Sequence, residues 1–238
     1  MLYPTPLIRG TLIKRYKRFL TDVTLEDGSV VIAHCANSGS MLSVNTPGAE
    51  VWLSPASNPD RKLRYTWELM RIGDTLVGIN TSLPNGIVEE AVHAGAIPEL
   101  AGYARARREV KYGRNSRIDL LLEDDHRPPC YVEVKNVTMR RNLKDGPVEF
   151  PDAVTSRGAK HLEELIDMVK GGARAVMMYL VQRQDGSAFS IAGDIDPAYR
   201  DGLQQAMAGG VEVLCYACTV SPKAVTLARP VPLALDSA

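Results

Sequence analysis

The chain has 238 residues, 45% of them hydrophobic and 24% charged, with 28 basic and 28 acidic side chains. That composition supports one large or two small packed domains and excludes a disordered or low-complexity chain. A formal net charge of zero excludes a uniformly basic surface, so local charge is the informative quantity.

The opening "MLYPTPLIRG" lacks the basic segment and apolar run of a signal peptide. No apolar stretch approaches the roughly 20 residues that cross a bilayer. The expectation is a cytoplasmic protein without a membrane partner. The first 80 or so residues read as all-β. "LIRGTLIKRYKRFLTDVTL" suggests two strands, "EDGS" a hairpin turn and "VVIAHC" a short buried strand. "ANSGSMLSV" reads as a loop or one helical turn; "AEVWLSP", "LRYTWELMRI" and "TLVGINTSL" follow as strands. Five or so short strands with an insertion after the third suit an OB-like β-barrel, with a sandwich fragment as the alternative.

From about residue 83 the pattern changes. "LPNGIVEEAVHAGAI" is helical, "ARREVKYG", "SRIDLLLE" and "CYVEVKNVT" are strand-like, and "PDAVTSRGAKHLEELIDMVKGG" is a helix closed by Gly171 and Gly172. A buried strand "ARAVMMYLV", a helix "DPAYRDGLQQAMAGG" and a strand "VEVLCYACTV" complete a mixed α/β domain. The division is therefore 1–82 and 83–238. Four cysteines are too few for a disulfide framework. Cys215 and Cys218 match C-x-x-C, but three positions apart on a strand they face opposite sides and read as core.

The hairpin "SRIDLLLEDDHRPPCYVEVK" carries the chemistry. With "EDDHRPP" (123–129) as a loop centred on His126, Leu122 faces Cys130 and Asp119 faces Glu133. Directly opposed residues share a side, with Cβ atoms about 4.5–5.5 Å apart. Two such carboxylates repel, and sharing a hard divalent cation, Mg²⁺ or Mn²⁺, removes the conflict. Lys135 lies two residues along on the same face as Glu133. Glu-x-Lys alone is common on solvated strand faces; Asp119, interrupting an apolar strand at the opposed position, gives it weight. A slip of one residue turns Asp119 away.

This Asp…Glu-x-Lys pattern resembles the PD-(D/E)XK restriction-endonuclease-like fold. "HCANSGSM", "VKYGRNSRID", "CYVEVKNVT" and "FPDAVTSRGAKHL", with the opening "LIRGTLIKRYKRFLTDV", are similar to signature segments of the sugar fermentation stimulation protein A (SfsA) family. One departure is Ala36, where members have Pro. The resemblance implies an N-terminal OB-like β-barrel followed by a restriction-endonuclease-like mixed-sheet α/β domain. It also implies DNA binding without marked sequence preference and a regulatory role in sugar (maltose) metabolism. Asp119 and Glu133 would be metal ligands, and Lys135 would orient the attacking water. Glu89, Glu90 and Glu109 are candidates for an additional acid, each of them equally readable as a solvated surface residue.

Arg157, Lys160, His161 and Glu164 lie at helical spacing on one face. Facing the site, Arg157 and His161 would hold phosphates; facing away, the same residues are an ordinary polar face. Residues 105–117, "RARREVKYGRNSR", hold six cations and one Glu, among them Arg107, Arg108, Lys111, Arg114 and Arg117. "KRYKRF" sets Lys14, Arg15, Lys17 and Arg18 around Tyr16 and Phe19, and "RKLRYTW" adds three more cations. Cations track a phosphate backbone and aromatics stack on unpaired bases, at ~1–3 kcal/mol each. Strand alternation places Lys14, Tyr16 and Arg18 on one side and Arg15 and Lys17 on the other. The loop of Asn37, Ser38, Gly39 and Ser40 reads as a cradle of backbone N–H groups for a phosphate, or as a simple turn. His34 and Cys35 face opposite ways and form no catalytic pair.

Two functions follow: a Mg²⁺-dependent nuclease, or a catalytically silent DNA-binding regulator that keeps the fold. A homodimer would be the natural way to reach both strands of a duplex, by analogy alone. A sugar-converting enzyme has no Gly-rich nucleotide loop and no Ser-His-Asp arrangement behind it.

Overall fold

Alternation of apolar and polar residues gives the first strands one buried and one exposed face. In the computed structural model, which describes residues 1–58, 60–113 and 115–235, β1 (Ile8–Tyr16) pairs antiparallel with β2 (Leu20–Leu25) and β4 (Glu50–Pro55). β3 (Val30–Cys35) pairs with β2 and, in parallel, with β5 (Tyr65–Ile72), while β5 pairs with β4. The ring β1-β2-β3-β5-β4 is closed, and β6 (Thr75–Gly78) extends β5. Leu12, Val23, Ala33, Cys35, Leu53 and Trp67 fill the interior. Gly10 is required where β1 meets β2: a Cβ there would lie 2.6 Å from Val23 and 2.7 Å from the Thr24 carbonyl. "KRYKRF" is not continuous strand. Lys17 and Arg18 turn the chain with left-handed φ of 46° and 63°, so the alternation expected for 14–18 stops at Tyr16.

The second sheet has the order β14-β13-β11-β9-β8-β7. β7 (Arg105–Tyr112), β8 (Ser116–Asp124) and β9 (Arg127–Val137) are antiparallel; β9, β11 (Arg174–Val181) and β13 (Glu212–Val220) are parallel. β14 (Val225–Pro230) is an antiparallel edge that the sequence reading omitted. α1 (Pro84–His93) covers one face; α2 (Ser156–Lys170) and α3 (Pro197–Ala208) cover the other. Cys215 packs with α2 and α3 and Cys218 with α1, on opposite faces, and all four cysteines are free and buried. β10 (Val148–Phe150) and β12 (Phe189–Ile191) form a separate parallel pair. Among the described residues no helix is long and apolar enough to cross a membrane.

The β8–β9 connection is tighter than the expected loop. Strand runs to Asp124 and resumes at Arg127, because the Asp124 carboxylate accepts the His126 N–H at 2.9 Å and closes a two-residue turn. Pro128 and Pro129 fall inside β9, opposite the irregularity between Leu122 and Asp124 and ahead of Cys130, where pairing with β11 begins. No ladder N–H is demanded of them there. α2 starts later than its sequence pattern, at Ser156, because Thr155 caps it by accepting the Gly158 N–H at 3.0 Å.

The two parts are joined at several points. Met1 and Val225 exchange backbone hydrogen bonds of 2.9 and 3.0 Å, so the first residues pair with the second sheet and not with the barrel. The Met41 N–H donates to the Asp152 carboxylate at 2.7 Å, and Gly78 donates to the Gln182 carbonyl at 2.8 Å.

Candidate active site

The register of β8 and β9 runs Leu122↔Cys130, Leu121↔Tyr131, Leu120↔Val132. Asp119 and Glu133 come next. Asp119 reaches across: its Oδ2 accepts the Val134 N–H at 2.7 Å and its Oδ1 accepts from Asn85 of α1 at 2.7 Å. Glu133 is 2% exposed. Its Oε1 accepts from Lys135 Nζ at 2.6 Å and from His161 Nδ1, whereas Oε2 is buried without a partner among the described residues. Arg157 Nε donates to His161 Nε2 at 3.3 Å, which leaves the imidazole proton on Nδ1, facing Glu133.

The two acids have opposite electrostatics. Burial, and then the charge of Glu133, raise the Asp119 carboxyl to about 6, against the Val134 N–H, Lys135 and Asn85. For Glu133 burial is again the largest influence and acts upward. The His161 hydrogen bond and the Lys135 charge together outweigh it and hold this carboxyl below its ordinary value. One acid is thus firmly ionised while its neighbour resists ionisation. A cation beside Asp119 and Glu133 Oε2 would relieve both the charge conflict and the orphaned oxygen.

A cleft of about 650 Å³ opens beside this pair, lined by Lys111, Tyr112, Arg117, Arg157, Lys160 and His161 among others. Sequence reasoning passed over Tyr112, whose hydroxyl is buried without a partner among the described residues and whose phenol is pushed up by burial and by the neighbouring carboxylates. Lys160 donates to Ser116 at 3.2 Å, and Arg117 donates to the Glu109 carbonyl at 3.0 Å. Arg107 is committed to both oxygens of Glu123, and Arg108 stands 3.6 Å from Glu89. Arg114 lies outside the described residues.

Several expectations need correction. His161 is 4% exposed and stands behind Glu133, so it orients a carboxylate where a phosphate contact was expected. Arg15 is a clamp: its guanidinium donates to the carbonyls of Arg18, Asn37 and Gly39 at 2.9 to 3.0 Å. The loop amides are also spent internally, since Gly39 N–H goes to Asn37, Met41 N–H to Asp152 and Leu42 N–H to Ser40. Lys14 sits 3.7 Å from Asp22 and over the Tyr16 ring. Of the additional acids, Glu90 pairs with the Met1 amino group and Glu89 with Arg108. Glu109 is tied to Asp119 through Asn85, whose amide reaches both, at 3.4 and 2.7 Å. Among the described residues no set of three His, Cys, Asp or Glu converges as a metal cage.

Residues 82–224 match the family model described as the sugar fermentation stimulation protein RE domain, and residues 13–79 match the SfsA N-terminal OB domain. The chain is 62% identical over 242 residues to the sugar fermentation stimulation protein homolog of Rhodospirillum rubrum, covering 98% of this chain and 99% of that one. It is 58% identical over 235 residues to the homolog of Paramagnetospirillum magneticum, at 99% and 98% coverage. Among solved structures, that of Pyrococcus furiosus SfsA in complex with Ca²⁺ matches with a TM-score of 0.87 at 24% identity, over 98% of this chain and 97% of that one.

Proposed function

The chain belongs to the sugar fermentation stimulation protein (SfsA) family, and from that premise we propose a DNA-binding protein that hydrolyses phosphodiester bonds with a divalent cation, Mg²⁺ or Mn²⁺. The observation that carries the reading is the buried Oε2 of Glu133, without a partner among the described residues, beside an Asp119 carboxyl raised to about 6. Both are oxygen donors of the kind a hard cation takes. When bound, the cation would supply a Lewis acid that activates water and neutralises charge on the phosphate.

The chain's own residues do the rest. His161 and Lys135 hold Glu133 through Oε1 alone and leave Oε2 free. Lys135, 14% exposed, is a fixed positive charge next to the acids, placed to orient water and to stabilise a developing anion. Arg157, Lys160, Lys111 and Arg117 line the cleft and supply the countercharge a nucleic-acid backbone requires.

A cleavage assay with labelled DNA tests this. Wild type should cut with Mg²⁺ or Mn²⁺, and EDTA or Glu133→Gln should each lower the rate about 100-fold or more, which is roughly 2.7 kcal/mol. The second reading, a silent DNA-binding regulator of sugar (maltose) metabolism, is favoured by the arrangement of the acids: among the described residues no three of His, Cys, Asp or Glu are placed to hold a metal ion together. Salt-sensitive DNA binding without any cleavage by wild type would select it.

A further inference from the structure

The connection between β1 and β2 is strained without an evident structural need. Tyr16 pairs with Leu20, and of the three residues between them Lys17 and Arg18 both occupy the left-handed region, at φ 46° and 63°. A side chain with a Cβ is disfavoured there, and turns of this kind ordinarily use Asn and Gly. The Arg15 clamp holds the conformation in place. It binds the Arg18 carbonyl together with those of Asn37 and Gly39, in a loop that Asp152 in turn anchors through the Met41 N–H. Asp152 lies three residues before Thr155, the cap of the helix that carries Arg157 and His161. The turn is thus a rigid fixture of the same frame as the catalytic cleft.

What the turn displays is distinctive. Lys17 and Arg18 are exposed, and neither side chain has an ion-pair or hydrogen-bond partner among the described residues. Phe19 is 44% exposed, with its ring stacked on His34 at 6.4 Å and 29°. The outer face continues through Ile13, Ile32 and Val30, so four of the ten exposed large hydrophobics among the described residues lie within β1–β3. The catalytic cleft offers cations but no comparable open aromatic surface.

We propose that this face docks a single unpaired strand of nucleic acid, with a base on the Phe19–His34 pair and its phosphates on Lys17 and Arg18. The inference rests on the nucleic-acid reading above and narrows its substrate to a single strand or a frayed end. A closed duplex keeps its base faces stacked and has no use for an exposed ring, whereas an unpaired base does. A second copy of the chain would cover the aliphatic surface but gives no reason for two adjacent exposed cations beside an open ring. A polyanion satisfies both features.

Binding of a labelled single-stranded oligonucleotide and of a blunt duplex of equal length, measured in EDTA across a salt series, tests the proposal. Phe19→Ala should weaken single-strand binding about 10-fold and leave duplex binding within about 2-fold. Arg18→Gly should weaken single-strand binding and reduce the salt slope by about one phosphate contact. The same variant should melt higher than wild type, because glycine accepts the left-handed turn freely. A merely structural turn would link weaker binding to lower stability. Salt-sensitive DNA binding that Phe19→Ala leaves intact overturns the platform while sparing the nucleic-acid reading. A wild type that binds neither probe overturns both. If Phe19→Ala dissolves a dimer without changing DNA affinity, the face belongs to a second copy and the proposal falls.

Discussion

Two charged clusters lie close together on β9, and they are built in opposite ways. Just past the ends of β9 and β11, where Thr138 meets Arg183, the arginine is fully buried, yet its guanidinium is matched: Asp185 accepts at 2.6 and 2.7 Å and the Thr138 carbonyl at 2.8 Å. Arg140 adds a bond to Asp185 at 3.0 Å, and Asp185 is held below its ordinary carboxylate value, its burial outweighed by the two arginines. Five residues back from Thr138, on β9, Glu133 keeps an oxygen without a partner among the described residues, Asp119 is raised to about 6, and the Tyr112 hydroxyl is likewise unmatched. Buried charge as such therefore does not mark a site. Unsatisfied buried charge does, because a fold that can close one cluster completely has left the other short of a partner.

Breaking the closed cluster should have the largest effect on stability. Asp185→Ala strands Arg183 in the interior and should cost about 3–5 kcal/mol by denaturant unfolding. The open cluster should respond in the other direction. Asp119 has an ordinary pKa of 3.8 unfolded and about 6 folded. A raised acid is neutral in both states below the lower value, and above the higher value it is ionised in both at a penalty to the fold. Its contribution is therefore lost as pH rises from about 4 to about 6. In EDTA, the stability difference between Asp119→Asn and wild type should move in the variant's favour by about 2–3 kcal/mol across that window. Any mismatch between the new amide and its neighbours is independent of pH and drops out of the slope. A flat difference would mean that neither burial nor the Glu133 charge raises the Asp119 carboxyl.

The contrast between the clusters was only half legible in the sequence. Alternation on a strand sets Glu133 and Lys135 side by side, and a hairpin centred on His126 aligns Leu122 with Cys130; the two-residue turn that pairs Asp124 with Arg127 reaches that register only through the irregularity between Leu122 and Asp124. The same alternation separates Cys215 from Cys218. What periodicity could not supply was direction. Arg157 and His161 are visibly one helical turn apart, but only the packing of α2 over β9 aims the imidazole at Glu133. Glu109 approaches Asn85 because its backbone turns left-handed at φ 53°, which no strand pattern announces. The Met41 amide looked free because Asp152, its acceptor, is more than a hundred residues away. β10 and β12 have three residues each, too few to show a period.

The finest form of the comparison lies in two tyrosines. Tyr179 and Tyr199 are buried with their hydroxyls bonded to each other at 2.6 Å, whereas the Tyr112 hydroxyl has no partner among the described residues. Removing Tyr179's hydroxyl leaves the one on Tyr199 buried and unsatisfied, so Tyr179→Phe should cost about 1–3 kcal/mol. Tyr112→Phe removes a group that is already unsatisfied, and its unfolding free energy should stay level or rise by less than about 1 kcal/mol. If that hydroxyl faces the cleft for a ligand's sake, the same variant should slow cleavage or weaken DNA binding while remaining as stable as wild type. A loss of stability matching that of Tyr179→Phe would show that Tyr112 has a partner in solution, and would remove one of the two unmatched groups that set this cluster apart.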